Sequence, residues 1–191
     1  MGRASKAEMA QHRADVVQAT ARLVRERGSA GVSVQDVMSE AGLTHGGFYK
    51  HFGSKDELIG IAATEAFDEV LVRLADAIAA PDGRAQVLQE YLSIEHRDDP
   101  GQGCACTALA DDSIHAGPGS PIRTAYIEGV DKTLEAFRAF EPGTDTRRRA
   151  IADLATLVGA VTLARATSGT LLSEEILGTV LDELTERVSP A

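Results

Sequence analysis

The run Ser33-Val-Gln-Asp-Val-Met-Ser-Glu-Ala-Gly-Leu-Thr-His-Gly-Gly-Phe-Tyr-Lys-His-Phe52 has the spacing of two short helices joined by a tight turn. Ser33 can cap the first helix, with Asp36 three residues on to favour the free amides of its first turn. Gly42 supplies the backbone freedom the turn needs, and Thr44 opens a second helix to about His51. Val34, Val37, Met38, Ala41, Leu43, Phe48 and Phe52 form the shared inner face, with small Ala41 where the helices cross. Thr44, His45, Gly46, Gly47, Tyr49, Lys50 and His51 are left for the outer face.

A helix pair of this kind can lay its second helix in a major groove. Bare glycines let backbone approach bases or phosphates closely, and hydroxyl, imidazole and ammonium groups are phosphate partners. Ser33 and Lys55 sit at helix N-termini, whose dipoles favour anions. Arg3 and Lys6, ahead of the first helix, could add a phosphate or minor-groove contact. Each residue alone has a plainer reading: glycines that weaken a helix, Tyr49 as a core-edge aromatic, Lys50 and Lys55 as solvated charges. The combined spacing points to DNA.

Helical signals continue on both sides. Val16, Val17, Thr20, Leu23 and Val24 mark one face of a helix ending at Gly28, with Arg13, Arg22, Arg25 and Glu26 mostly on the other. Ser54 to Glu57 fits a capping box before a long amphipathic helix that runs from Leu58 through Phe67 and Leu74 to Ile78, closed by Pro81-Asp82-Gly83. Further helices are expected over 84–96, 103–115, 121–140, 146–170 and 174–188, with Ser120 and Ser173 as N-caps and a loop over 141–145. No strand alternation or repeat is present. The fold class is all-α with about nine helices: a three-helix unit over residues 1–53 joined to a helical bundle over 54–191.

The 29 acidic and 19 basic side chains give a net charge of −10, which at first counts against a phosphate ligand. The charge is divided, however. Residues 1–60 hold eight Lys/Arg and seven Asp/Glu, net +1, and the remainder holds eleven and twenty-two, net −11. The N-terminus shows no apolar stretch of a secretory signal. The most apolar run, Ala150–Leu172, is broken by Asp153 and Arg165, so no membrane span is expected and the cytoplasm is the expected compartment. Two cysteines one residue apart, Cys104 and Cys106, do not make a disulfide framework.

Gly42-Leu43-Thr44 through Tyr49-Lys50-His51-Phe52-Gly53-Ser54-Lys55-Asp56-Glu57-Leu58 resembles the TetR family of one-component transcriptional regulators. The motif covers about residues 10–60. The resemblance implies a homodimer whose heads bind adjacent major grooves of double-stranded operator DNA, and a body that binds a small-molecule effector altering head spacing. It implies repression, with operator contacts at Thr44, Gly46, Tyr49, His51 and Lys55.

In the body, Leu154, Leu157, Val158 and Val161 on one helix and Leu177, Val180, Leu181, Leu184 and Val188 on the next form apolar stripes. They read as a dimer interface, with Gly159, Ala160 and Ala164 allowing close approach, or as an intramolecular core. Leu88, Tyr91, Leu92, Cys104, Leu109, Tyr126, Val130 and Phe137 are candidate effector-pocket residues and equally ordinary core.

Cys104 and Cys106 offer a thiol sensor for oxidants or electrophiles as an alternative regulatory chemistry, against the plainer reading of small buried hydrophobes. Residues two apart on a helix point about 200° apart, so the pair cannot share a metal without an extended backbone. No metal or cofactor is expected. A small enzyme using residues 104–115 is the rival class, but no nucleophile elbow or phosphate loop supports it. Arg147-Arg148-Arg149 reads as a solvated face.

Overall fold

The computed structural model describes residues 5–140 and 145–187. Arg3, the 141–144 part of the expected loop and Val188 lie outside them. Among the described residues there are ten α-helices, one 3₁₀ helix and no strand. The elements are α1 (Lys6–Arg27), α2 (Val34–Glu40), a 3₁₀ helix (His45–Lys50), α3 (Lys55–Ile78), α4 (Gly83–Tyr91), α5 (Ile94–Asp98), α6 (Ala105–Ala108), α7 (Ala110–His115), α8 (Pro121–Arg138), α9 (Thr146–Ala166) and α10 (Leu171–Glu186). The all-α class expected from sequence is the one observed. Two expected helices are each divided: Ser93 caps a fresh helix by accepting from the His96 amide, and Leu109, at φ −102° and ψ 5°, breaks the other.

Caps explain most boundaries. Ser5 and Ser33 each form a reciprocal capping box, with Glu8 and Asp36 respectively, and Ser54 accepts from the Glu57 amide. Ser120 stands at the start of α8 without a side-chain cap bond, and its buried hydroxyl has no partner among the described residues. Ser173 is not a cap. Thr170 takes that role, and Ser173 is fully buried, donating to the Ala164 carbonyl at 2.8 Å and accepting from Arg97 at 2.9 Å.

One continuous apolar core runs from Val16 and Phe48 at one end to Leu157 and Leu184 at the other. The long α3 is its spine, packing on α1 on one side and on α8 on the other. Its approach to α8 requires glycine: a Cβ on Gly129 would fall 2.2 Å from the Phe67 ring, and one on Gly60 would fall 2.4 Å from Pro121. Helices thus meet nearly backbone to backbone, and any larger residue must push them apart.

Arg25 departs from the sequence reading of an outward charge. It is 5% exposed, donating from Nε to the Gly101 carbonyl at 2.7 Å and from Nη1 to Glu69 at 2.7 Å. A second tie runs from the Ser29 amide to the Asp112 carboxylate at 2.9 Å. α1 is therefore bound to the rest of the chain at two points about 80 residues away in sequence. Arg147, expected on a solvated face, is exposed there and also pairs across to α8 through Asp131, 2.8 Å away, and Glu135.

Candidate nucleic-acid interface

The α2 helix, the turn and the 3₁₀ helix assemble around three buried residues. Val37, Met38 and Phe48 are at most 2% exposed, and Phe52 closes the base of the unit. Gly42 has φ +70°, a left-handed conformation costly to other residues, and lets the Leu43 amide reach back to Met38 O at 2.8 Å. α2 is tied to α1 by an Arg22–Glu40 ion pair.

The second helix differs from expectation in kind. His45–Lys50 is 3₁₀, tighter than α, and the Thr44 hydroxyl makes no cap bond. Two consecutive glycines in a six-residue helix, which disfavour α propagation, account for this. A Cβ on Gly47 would touch the Met38 methyl at 3.4 Å, so Gly47 seats the segment on α2, whereas Gly46 faces open space.

Phe48 is fully buried and meets Tyr49 edge-on at 5.1 Å, which holds Tyr49 outward at 73% exposure. Arg13 lies 5.1 Å above the Phe52 ring and braces it from α1. Thr44, His45, Gly46, Tyr49 and Lys50 are all exposed, with His51 half-buried against Phe52. Ser33, also exposed, is engaged in its capping box. Lys55 departs from the proposed free phosphate ligand: its Nζ donates to the Ser29 carbonyl at 2.9 Å, fastening the start of α3 to the end of α1. Arg13, Arg25 and Ser29 were not singled out for these roles, and nothing in local periodicity signals a contact across α1.

In the body, a cavity of about 340 Å³ lies between α3 and α4 and reaches the 96–104 segment. Of the expected pocket residues it is lined by Tyr91 and Cys104 only. Leu88, Leu92, Leu109 and Phe137 are instead buried core, while Tyr126 and Val130 are half-buried against that core. The wall consists instead of Val70, Leu74, Ala77 and Val87, with Arg73 and Gln102 among the polar groups. The α3–α4 pairing that creates it is tertiary, so sequence spacing could not find it. Similarly, Leu154, Leu157, Val161, Leu177 and Leu184 are at most 6% exposed within the single chain, so they build its own core rather than an interface. Val158, Val180 and Leu181 remain half-buried. Among the described residues no group of three metal-ligating side chains comes together, and no helix is long and apolar enough to cross a membrane.

A buttressed two-helix unit with a polar outer rim, set on a helical body, defines a helix-turn-helix protein. Residues 16–60 match the family model described as bacterial regulatory proteins, tetR family. An HTH-type transcriptional repressor of Mycobacterium tuberculosis is 36% identical over 69 residues, covering 36% of each chain. The repressor DhaR of a Mycobacterium species is 30% identical over 118 residues, 59% of this chain and 57% of that one. The match thus spans only about a third of the length of the first curated relatives. A TetR transcriptional regulator of Chloroflexus aurantiacus superposes with a TM-score of 0.74 at 27% identity, covering 93% of this chain and 96% of that one. Residues 16–60 carry the DNA-binding module of the TetR family, and the chain as a whole shares the fold of that family's solved regulators.

Proposed function

We infer that this chain is a sequence-specific DNA-binding repressor, released from its operator by a small molecule held in the body, and that it is not an enzyme. The observation that carries the reading is the exposure of Thr44, His45, Gly46, Tyr49 and Lys50 on a short helix seated over a buried core of Phe48 and Met38. Such a surface offers a base-edge reader flanked by phosphate donors, while the core fixes its register. Residues 1–53 are the DNA-binding unit and 54–191 the effector and dimer unit, with α3 shared as the spine between them. Ser33 and Lys55 act one step back, by holding the helix ends in place.

The protein acts as a homodimer through the outer faces of α9 and α10. Ile151, Leu163, Leu171 and Leu172 are 48–84% exposed there, an apolar surface that a lone chain would leave in water, and half-buried Val158 and Val180 continue it. The likeness to the TetR family supports the same arrangement. The effector occupies the α3–α4 cavity, and it releases DNA only by binding one head arrangement more tightly than the other. The site of action is the cytoplasm, where a repressor's operator DNA lies.

Gel-shift titration against DNA flanking the chain's own gene tests the reading. A complex that is sequence-selective and weakens with salt is expected. Equal binding to unrelated duplexes, or none, overturns it.

A further inference from the structure

The cavity has one reactive group in its wall. Cys104 is 4% exposed, and its environment is built by four side chains brought together from α4, α5, α6 and α9. His96 donates its Nδ1 hydrogen to the Tyr91 carbonyl at 2.7 Å, which leaves Nε2 to accept from the Cys104 amide at 3.1 Å. That pair of bonds selects the Nδ1–H tautomer and pins the backbone beside the sulfur. Arg165, anchored by the Arg97 and His96 carbonyls at 3.0 Å each, passes within 2.8 Å of where a Gly103 side chain would begin, putting a half-buried cation beside the residue that precedes Cys104.

The two thiols are thereby made unlike. The Cys106 thiol donating to its sulfur holds Cys104 down at about 6 against the opposing effect of burial, with Tyr91 as a further donor. Cys106, whose hydrogen is engaged by Cys104 and which burial also penalises, is pushed far up. Cys104, and not Cys106, stands in the cavity wall, so its sulfur is the one a guest there meets. Facing it across the cavity, Val70, Leu74, Ala77 and Val87 accept a hydrocarbon, and the Gln86 and Gln102 amides can donate to a carbonyl oxygen.

The segment that carries this thiol is also the one that holds the head. Gly101 receives the Arg25 hydrogen bond from α1, and a Cβ there would lie 2.6 Å from Glu26, also of α1. Residues 99–103 are thus a strap with the cavity on one side and α1 on the other.

We propose that Cys104 is a covalent capture site for small α,β-unsaturated carbonyl compounds, and that the adduct displaces the 99–103 strap from Arg25 and frees DNA. In the capture step the Cys104 thiol loses its proton to solvent and its sulfur forms a bond to the β-carbon. The C=C π electrons move through the α-carbon toward the carbonyl oxygen, and the α-carbon then takes a proton from solvent. The sum is addition of S–H across the double bond, with no oxidant required. The release step rests on the DNA-binding reading above; the capture step does not.

The experiment treats the purified full chain with N-ethylmaleimide, maps the label by peptide mass spectrometry and follows retention of the DNA flanking its gene. Cys104 is expected to label on the order of tenfold faster than Cys106, with loss of the complex in step with labelling. Cys106→Ser keeps a hydroxyl donor to the Cys104 sulfur and should still label at Cys104 and release DNA, and Cys104→Ser should stay bound and unlabelled over the time in which the parent's Cys104 reacts. Labelling of Cys106 first, or of neither cysteine until the chain is unfolded, overturns capture and needs no variant to fold. A Cys104-labelled protein that binds DNA unchanged overturns release. If untreated protein never retains the DNA, the DNA-binding reading fails while the labelling order still decides capture.

Discussion

The head and the body spend their polar groups in opposite ways. Within residues 33–52 of the head, polar side chains either cap a helix within three residues of themselves or lie toward solvent, and the interior is purely apolar: Val37, Met38, Phe48, Phe52. In the body, polar groups lie inside and reach across the fold. Arg84 meets Asp153 at 2.7 Å, Arg97 meets Ser173 at 2.9 Å, and His96 meets Cys104 at 3.1 Å. A head of local bonds presents a fixed surface, as groove reading requires. A body held by long-range polar ties has joints that a guest in the cavity can loosen, because each tie depends on the exact placement of two distant elements.

The contrast breaks first in the head's core. Phe48→Ala removes a fully buried ring whose neighbours Tyr49 and Phe52 rest on it, so a loss of about 3–5 kcal/mol is expected in denaturant unfolding. DNA retention should vanish with it. An unfolding midpoint that hardly moves would mean the head is not packed around this ring.

The body's counterpart is polar. Asp153→Ala deletes a carboxylate 5% exposed that meets Arg84 at 2.7 Å and Arg187 at 3.8 Å, leaving Arg84 inside the fold without it. An effect of about 3 kcal/mol is expected, reported by hydrogen exchange in α4 and α10 while α2 stays protected. If α2 loosened equally, the division between local and long-range support would be wrong.

Ser33→Ala should cost about 1 kcal/mol by removing a cap, and should lower DNA affinity only as far as it frays α2. The pH dependence sharpens the same comparison. Burial lowers the His96 pKa below its ordinary 6.5, so the unfolded chain takes up that proton first. Its contribution to stability is present above pH 6.5 and is lost as pH falls below it. His96→Asn should flatten that part of the unfolding profile. The Cys104 thiol is held at about 6, so its labelling rate should level off by neutral pH, where an ordinary thiol is still climbing.

How much of this was legible follows the same division. The turn at Gly42, the Ser33 cap, the inward Phe48 and the outward Tyr49 all follow from spacing, because the interactions that decide them close within a few residues. The all-α class followed for the same reason. Periodicity showed that Leu157 and Leu184 are buried but not by what, since a stripe looks the same against its own chain as against a second copy. The cavity wall, Val70 with Val87, and the Arg25–Gly101 tie join elements whose pairing is set only when α3 and α8 meet at Gly60 and Gly129. Arg25 was misread because a charge on a helix is ordinarily solvated, and here it finds a carbonyl and a carboxylate inside the fold.

The finest test separates two lysines that sequence treats alike. Lys50 is exposed on the 3₁₀ helix, beside Tyr49, whereas Lys55 is part-buried and donates to the Ser29 carbonyl. Lys50→Ala should therefore leave stability within about 0.5 kcal/mol and lower the slope of log affinity against log salt by about 1, equally for all duplexes. Lys55→Ala should do the reverse, costing about 1 kcal/mol of stability by freeing Ser29 O while changing the salt slope less, because its charge already serves the join between α1 and α3. Equal slopes for the two variants would show that Lys55 leaves Ser29 to meet a phosphate, and that the head rearranges when it binds.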